Sequence, residues 1–157
     1  MIRVGLGADA HAFTDDRPLV LGGVRVRDVK GLEGHSDADV LAHAIGDALL
    51  GAAALGELGQ MFPSTQTWEG SSSIELLAES VAAVRGDGWD VVNLDATVIA
   101  QEPKLAAYLD QMRNNVAAAV GVNVGVVSIK AKTTDHLGFT GRGEGIAALA
   151  VALIERR

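Results

Sequence analysis

The sequence contains no cysteine, three prolines and six aromatic residues among its 157 residues. Without cysteine, the chain has neither a disulfide framework nor a thiolate metal site, so any zinc ion must be bound by His, Asp or Glu. Positive charge is also scarce, because 13 Lys and Arg stand against 20 Asp and Glu, a net charge of −7. This balance argues against binding to a nucleic-acid backbone.

Long apolar runs are missing as well. The longest uncharged stretch, 114–129, is interrupted by Asn and Gly and is shorter than the ~18 apolar residues of a membrane span. At the amino end, Asp9 and His11 stand where a signal peptide would continue its apolar run. We therefore expect a cytoplasmic protein that is not bound to a membrane. Its length suits one domain over residues 1–157.

Hydrophobic periodicity predicts the order ββααβαβα, an α+β domain in which helices are layered on a mixed sheet. Four strands are predicted: one at the start of the chain, one over 19–26 with a bend at Gly22 and Gly23, one over 90–100 and one over 125–133. The predicted helices begin at Ser36 and Ser72, each with a capping box, at Pro103 and at Ile146. We expect a mobile loop over 56–72. The apolar segment 48–55 lacks a polar face, which suggests contact with another subunit.

Two histidines and a carboxylate could form a metal site. Asp9 and His11 end the first strand and point to one face of it, although a turn aspartate beside a surface histidine is the simpler interpretation. His43 lies on an otherwise apolar helix and is either a core histidine with a partner or the third ligand of a set with Asp9 and His11.

Other aspartates of the first helix have ordinary explanations. Asp37 and Asp39 suit the helix dipole at its first turn. Asp47 is either a hydrogen-bond acceptor for a metal-bound histidine or a surface charge.

A third group of polar residues lies in 130–145, where Lys, Arg, hydroxyl groups and glycine amides come before the last predicted helix. Such a segment could hold phosphate oxygens, and a structural turn is the alternative. It is not a Walker A loop, because it lacks Gly-Lys-Ser/Thr. Asp135 would suit Mg²⁺ or Mn²⁺. Together the residues predict metal-assisted phosphoryl chemistry without naming a substrate.

Five segments carry a resemblance to one family: 5–13, 34–39, 47–56, 99–104 and 137–145. They are similar, in the same order and over essentially the whole chain, to 2-C-methyl-D-erythritol 2,4-cyclodiphosphate synthase. The resemblance implies a step of non-mevalonate isoprenoid biosynthesis, in which 4-diphosphocytidyl-2-C-methyl-D-erythritol 2-phosphate is cyclised and CMP is released. It makes the enzyme a phosphorus–oxygen lyase that needs no protein nucleophile.

The resemblance also implies roles for individual residues. Zinc would be bound by Asp9, His11 and His43, and a second ion, Mg²⁺ or Mn²⁺, by Asp135. His35 and Thr133 would stabilise the transition state. Substrate contacts are implied for Ser36, Glu57, Leu58, Gly59, Phe62, Pro63, Ser64, Thr65, Gln66, Ala100, Gln101, Glu102, Pro103, Lys104, Leu105, Ala106, Lys132, Thr134, Phe139 and Arg142.

The resemblance further implies a homotrimer with active sites between subunits. The segment 100–106 would hold the cytidine diphosphate from a neighbouring subunit, and 57–59 with the Phe62 loop would contact the erythritol part. Phe139 and Arg142 would lie near a central cavity that can bind an isoprenoid diphosphate.

The chain departs from the family pattern at several positions. Asp135 replaces an expected Glu, so a direct metal contact could become water-mediated, and Lys132 replaces an expected Thr, which adds a cation beside the phosphates. Glu57 replaces Asp, and the 62–73 loop lacks the usual acidic residues, so its substrate contacts are open. The zinc set is intact, and we expect activity.

Two other functions fit the same residues. One is a metal-dependent phosphohydrolase, in which zinc activates water. The other is a trimeric module that binds a nucleotide or an isoprenoid without turnover.

Overall fold

The computed structural model describes residues 1–63, 68 and 70–157. Its strands are β1 Ile2–Thr14, β2 Leu19–Leu21, β3 Val24–Arg27, β4 Gly31–Leu32, β5 Trp89–Ile99, β6 Val127–Lys132 and β7 Gly145–Arg156. Its helices are α1 Val40–Ala53, α2 Leu58–Met61, α3 Ser73–Gly86, α4 Leu109–Val120 and α5 Gly138–Gly141. None of the helices in the described ranges is long and apolar enough to cross a membrane.

Five strands form one mixed sheet in the order β4-β1-β7-β5-β6. The β5–β6 pair is parallel and the other pairs are antiparallel. The strands β2 and β3 form a separate hairpin that turns at Gly22 and Gly23, where a bend is predicted. One face of the sheet packs on α1 and forms the core, so the predicted α+β fold is confirmed.

Helix α1 lies directly on β1 because two glycines lack side chains. A Cβ atom on Gly5 would be 1.9 Å from the carbonyl oxygen of Ala48, and one on Gly7 would be 1.9 Å from that of Ala44. Residues two apart on a strand share a face, so Asp9 and His11 continue the line of Gly5 and Gly7. The strand and the helix run in opposite directions, and this line therefore reaches the first turns of α1.

The last predicted helix is wrong, because 146–154 lies in β7, between β1 and β5 in the sheet. Ile146 and every second residue after it are buried, whereas Leu149 and Val151 are exposed. The outward residues of β7 are also apolar, so the alternation of polar and apolar residues that identifies a strand is absent from the sequence. Pairing with two neighbouring strands overrides the helix propensity of alanine and leucine.

Other predicted boundaries shift. The capping box at Ser36 is absent, because Asp39 caps α1 by accepting from the N–H of Ala42. The predicted box at Ser72 is confirmed, with α3 starting at Ser73. Pro103 is not in a helix: it follows a cis peptide bond, and α4 begins only at Leu109 after a 3₁₀ turn over 106–108. The segment 100–105 instead has no regular secondary structure. The side chain of Leu105 holds it to the core, in which that residue is buried.

The segment 56–72 contains α2, and the predicted strand over 125–133 starts at Val127 after another 3₁₀ turn. The strand predicted over 90–100 is confirmed as β5, with Leu94, Ala96 and Val98 buried on one face. The apolar end of α1 is covered by the chain itself, since Leu49 and Leu50 are fully buried here. That segment therefore gives no reason to expect a subunit contact.

Candidate functional site

Three side chains from β1 and α1 converge at one end of the sheet. Asp9 Oδ2 lies 2.8 Å from His11 Nε2 and 3.1 Å from His43 Nδ1, and the two imidazole nitrogens are 3.2 Å apart. The three side chains are largely buried, with exposed fractions of 25%, 18% and 12% for Asp9, His11 and His43. The structure therefore brings together the three predicted metal ligands.

The donor set of this triad fits a metal ion. Two ligands at 2.0–2.1 Å from one tetrahedral zinc ion stand about 3.3 Å apart, which is close to the separations found here. One carboxylate oxygen and two ring nitrogens lie 2.8–3.2 Å apart, and such a cluster of acceptor atoms is stable only with a proton or a cation between them. Among the described residues, Asp9, His11 and His43 are the group with this geometry.

The triad is electrostatically coupled. Burial raises the pKa of Asp9, but hydrogen bonds and charge interactions with His11 and His43 outweigh it and hold that pKa far below its usual range. Burial lowers the pKa of His43, but the hydrogen bond that the protonated ring donates to Asp9, together with the charge of that carboxylate, outweighs burial and raises the pKa. Asp9 is thus a carboxylate that attracts positive charge to this point.

His43 has a second contact on its other ring nitrogen. Its Nε2 lies 2.9 Å from Oγ of Ser73, the first residue of α3, and the Ser73 hydroxyl donates to a carboxylate oxygen of Asp37. Ser73 is absent from the predicted site residues, because nothing in a serine at a helix start points to a partner 30 residues away. The core-histidine interpretation of His43 is thus partly correct, since the ring has a buried polar partner.

The other aspartates of α1 have structural partners. Asp39 is fully buried and accepts from the backbone N–H groups of Gly22, Gly23 and Ala42, so it joins α1 to the β2–β3 turn. Asp47 accepts from the N–H of Leu58 at 2.8 Å, and burial raises its pKa. Asp47 therefore holds the start of α2, a contact that neither of the two interpretations of this residue included.

The loop with His35 and Ser36 lies beside the triad. A Cβ atom on Gly34 would be 2.9 Å from the His11 ring. Arg17 donates to the carbonyl groups of Gly34 and Ser36, and the Ser36 hydroxyl donates to the carbonyl of Ser71. Arg17 therefore holds in place the loop that carries His35, the histidine predicted to stabilise the transition state. Arg17 is absent from the predicted site residues.

A recess that is separate from the triad lies at the carboxyl ends of β5 and β6, and we call it the second recess. It is lined by Ala100, Gln101, Pro103, Lys104, Leu105, Ala106, Leu109, Ala131, Lys132 and Thr133. Most of the predicted nucleotide contacts thus share one wall with Lys132 and Thr133, while Glu102 lines a neighbouring recess with Phe13 and Arg27. Neither recess is lined by a residue of the triad.

The predicted phosphate segment is a compact turn. Thr134 Oγ1 donates to the carbonyl of Leu137 at 2.6 Å and lies 3.0 Å from Oγ1 of Thr140. Thr133 Oγ1 lies 3.4 Å from the exposed Asp135. The turn leads into α5, which has only four residues, so it offers no long helix whose dipole would hold phosphate. Asp135 does not join the triad within one chain.

Most of the remaining predicted residues lie on the surface or outside the described residues, and Leu58 is buried. Glu57, Gly59 and Pro63 are exposed, and the Phe62 ring meets Trp68 edge-on at 4.7 Å. Phe139 is 42% exposed, and Arg142 pairs with Glu144 at 3.0 Å. Ser64, Thr65 and Gln66 lie outside the residues that the structure describes.

Comparisons with known proteins cover the whole chain. The YgbB family matches residues 2–155. The chain is 54% identical over 154 residues to the 2-C-methyl-D-erythritol 2,4-cyclodiphosphate synthase of Alkaliphilus oremlandii, covering 98% of each protein. It is similar to the solved bifunctional IspDF from Campylobacter jejuni, with a TM-score of 0.96 and 40% identity over 100% of this chain and 43% of that one. A Plasmodium falciparum IspF complex with CDP is 30% identical, with a TM-score of 0.86 and coverage of 99% and 97%.

Proposed function

The chain belongs to the YgbB family, and from that premise we propose that it converts 4-diphosphocytidyl-2-C-methyl-D-erythritol 2-phosphate to 2-C-methyl-D-erythritol 2,4-cyclodiphosphate and CMP. The observation that carries the proposal is the intact Asp9–His11–His43 triad in a chain that matches the named synthases from end to end.

The reaction is an internal phosphoryl transfer. An oxygen of the 2-phosphate forms a bond to the β-phosphorus, and the bond from that phosphorus to the oxygen it shares with the α-phosphate breaks, so that CMP leaves with that oxygen. Since nucleophile and electrophile belong to one molecule, the protein has to fold the substrate and neutralise its charge. This chemistry makes the enzyme a phosphorus–oxygen lyase.

We assign the triad to zinc, because two imidazoles and one carboxylate leave a fourth position open, as in catalytic zinc sites. When bound, zinc would supply Lewis-acid polarisation of the β-phosphate. Asp9, His11 and His43 would hold it and thereby orient that end of the substrate. Asp135 is proposed to hold a second ion, Mg²⁺ or Mn²⁺, directly or through water.

The charges of the second recess suit a cytidine diphosphate. Lys104 and Lys132 line it, and neither ammonium group has a carboxylate partner among the described residues. Two unpaired cations in a chain of net charge −7 favour an anionic ligand at this point. The solved CDP complex of a relative supports a cytidine nucleotide as the ligand, and we assign it to this recess, with Thr133 and His35 as the proposed transition-state groups.

The sheet supports a contact between copies of the chain, which we propose to be part of a homotrimer. On the face away from α1, Ile2, Val4, Leu6, Leu149 and Val151 are between 42% and 69% exposed, and we call these residues the outer apolar face. A bare apolar sheet face of this kind is typical of a subunit contact. A homotrimer with active sites between subunits would bring the triad of one copy to the recess of another. Phe139 and Arg142 are proposed to border its central cavity, where an isoprenoid diphosphate could bind.

The test is ³¹P NMR of the purified protein with the cytidine diphosphate substrate, Zn²⁺ and Mg²⁺. We expect the cyclic diphosphate and CMP to appear together. Linear phosphate products would instead identify a phosphohydrolase, and unchanged substrate with bound zinc would identify a binding module. The family match favours neither alternative.

A further inference from the structure

We infer that Asp37 and Ser73 are positioning residues that hold His43 with its Nδ1 atom toward the metal site. The inference rests on the metal binding proposed above. It concerns two residues that touch neither the proposed metal nor the substrate recess. They come from two separate segments, the loop before α1 and the first residue of α3, which meet behind the ligand.

The contacts form a continuous chain. His43 Nε2 lies 2.9 Å from Ser73 Oγ, and the Ser73 hydroxyl donates to Asp37 Oδ1. The backbone N–H of Ser73 points at the same carboxylate, 3.3 Å from each oxygen, and the N–H of Asp39 donates to it at 3.2 Å. Ser73 is fully buried, so water does not compete for its hydroxyl group.

The direction of each hydrogen bond follows from the groups involved. An ionised carboxylate only accepts, so the Ser73 proton must point at Asp37. The Ser73 oxygen can then only accept a hydrogen bond from His43. Nε2 of His43 must therefore carry the proton of that hydrogen bond. In the neutral imidazole, Nδ1 therefore keeps its lone pair. That atom lies 3.1 Å from Asp9 Oδ2 and 3.2 Å from His11 Nε2.

This chain of contacts performs two tasks for a metal ligand. It selects the tautomer whose Nδ1 can bind a cation, and it prevents the ring from rotating away from Asp9 and His11. Partners of this kind behind a metal-bound histidine typically change metal affinity by roughly 10–100-fold. Among the described residues, the hydrogen-bond partner of Asp47 is the N–H of Leu58, whereas the contact on Nε2 of His43 comes from Ser73.

The experiment compares Ser73→Ala with Ser80→Ala. Both serines are fully buried on α3, but the Ser80 hydroxyl donates to the Leu76 carbonyl of its own helix. Zn²⁺ affinity is measured by competition with a chromophoric chelator, and the ligand field is measured by the visible absorption of the Co²⁺-loaded protein. Thermal unfolding of the metal-free proteins shows whether each variant is folded.

We expect Ser73→Ala to lose roughly 10–100-fold in Zn²⁺ affinity and to shift the Co²⁺ bands, while Ser80→Ala keeps both. Ser73→Thr, which retains the hydroxyl group, is expected to bind Zn²⁺ nearly as the unmodified protein does. Wild-type affinity in Ser73→Ala would overturn the positioning inference alone. A wild-type protein that binds no Zn²⁺ would overturn the metal site and the inference together.

A double-mutant cycle covers the case in which Ser73→Ala does not fold. Asp37→Asn keeps the shape but removes the charge that orders the hydroxyl proton, so it should weaken Zn²⁺ binding in the wild-type background. The same change should weaken Zn²⁺ binding by a similar factor in Ser73→Thr, because that variant keeps the hydroxyl group and with it the chain of contacts. A full-strength Zn²⁺ site in Asp37→Asn would contradict the inference.

Discussion

Leu6 on β1 pairs directly with Val151 on β7, and the two side chains are 69% and 42% exposed. They lie at the middle of the outer apolar face, so a charge at this point would have to be buried if three copies pack there. We predict that Leu6→Lys prevents trimer formation. Light scattering after size exclusion should then give a mass near 16.2 kDa instead of three times that value.

Val29→Lys is the matched control, because Val29 is 55% exposed in a turn away from this face. It should leave the mass unchanged. A trimer that survives Leu6→Lys would exclude the outer apolar face as the contact. Loss of activity together with loss of the trimer would support active sites between subunits.

The metal site is tested by His43→Ala. Removing one of three ligands should weaken Zn²⁺ binding by more than the roughly 100-fold expected for an outer partner, and CMP release should stop. Metal analysis and an assay of CMP release measure the two effects, and circular dichroism should show that the fold survives. His136→Ala, which changes an exposed histidine outside the triad, should keep its zinc. Stoichiometric zinc in His43→Ala would refute the proposed ligand set.

The assignment of the second recess to a nucleotide is tested by Lys104→Ala. A charged hydrogen bond to phosphate contributes about 1.5–3 kcal/mol, so CMP affinity should fall by about 10-fold or more, as measured by calorimetry. Arg25→Ala makes the same change in net charge at an exposed residue that pairs with Asp28 and should have no effect. Equal affinities in the two variants would remove Lys104 from the site.

The close packing of α1 on β1 is tested by Gly7→Ala. The new Cβ atom would overlap the carbonyl oxygen of Ala44, so helix and strand must separate, and the free energy of unfolding should fall by about 1–3 kcal/mol or more. Gly51→Ala makes the same change on the exposed side of α1 with nothing within 4 Å and should stabilise the protein by about 0.5–1 kcal/mol. Urea unfolding measures both, and equal shifts would contradict this packing.

Much of the helical structure and the metal ligands could be predicted from local patterns. The box from Ser72 to Glu75 starts α3 as predicted, because both of its hydrogen bonds lie within one turn of chain. Asp9 and His11 were expected on one face of a strand because side chains alternate with period two. By contrast, the box at Ser36 fails, since Asp39 has better partners in Gly22 and Gly23, which are far away in sequence.

The sequence by itself determined the composition of the site: a cysteine-free set of Asp9, His11 and His43 and a cation-bearing turn near Lys132. The tertiary structure alone decided which of these groups are in contact and which other residues orient them. The strand identity of β7 depends on pairing with β1 and β5, and the orientation of His43 depends on Ser73, 30 residues away. Both are contacts between distant segments, and no local pattern of residues encodes such contacts.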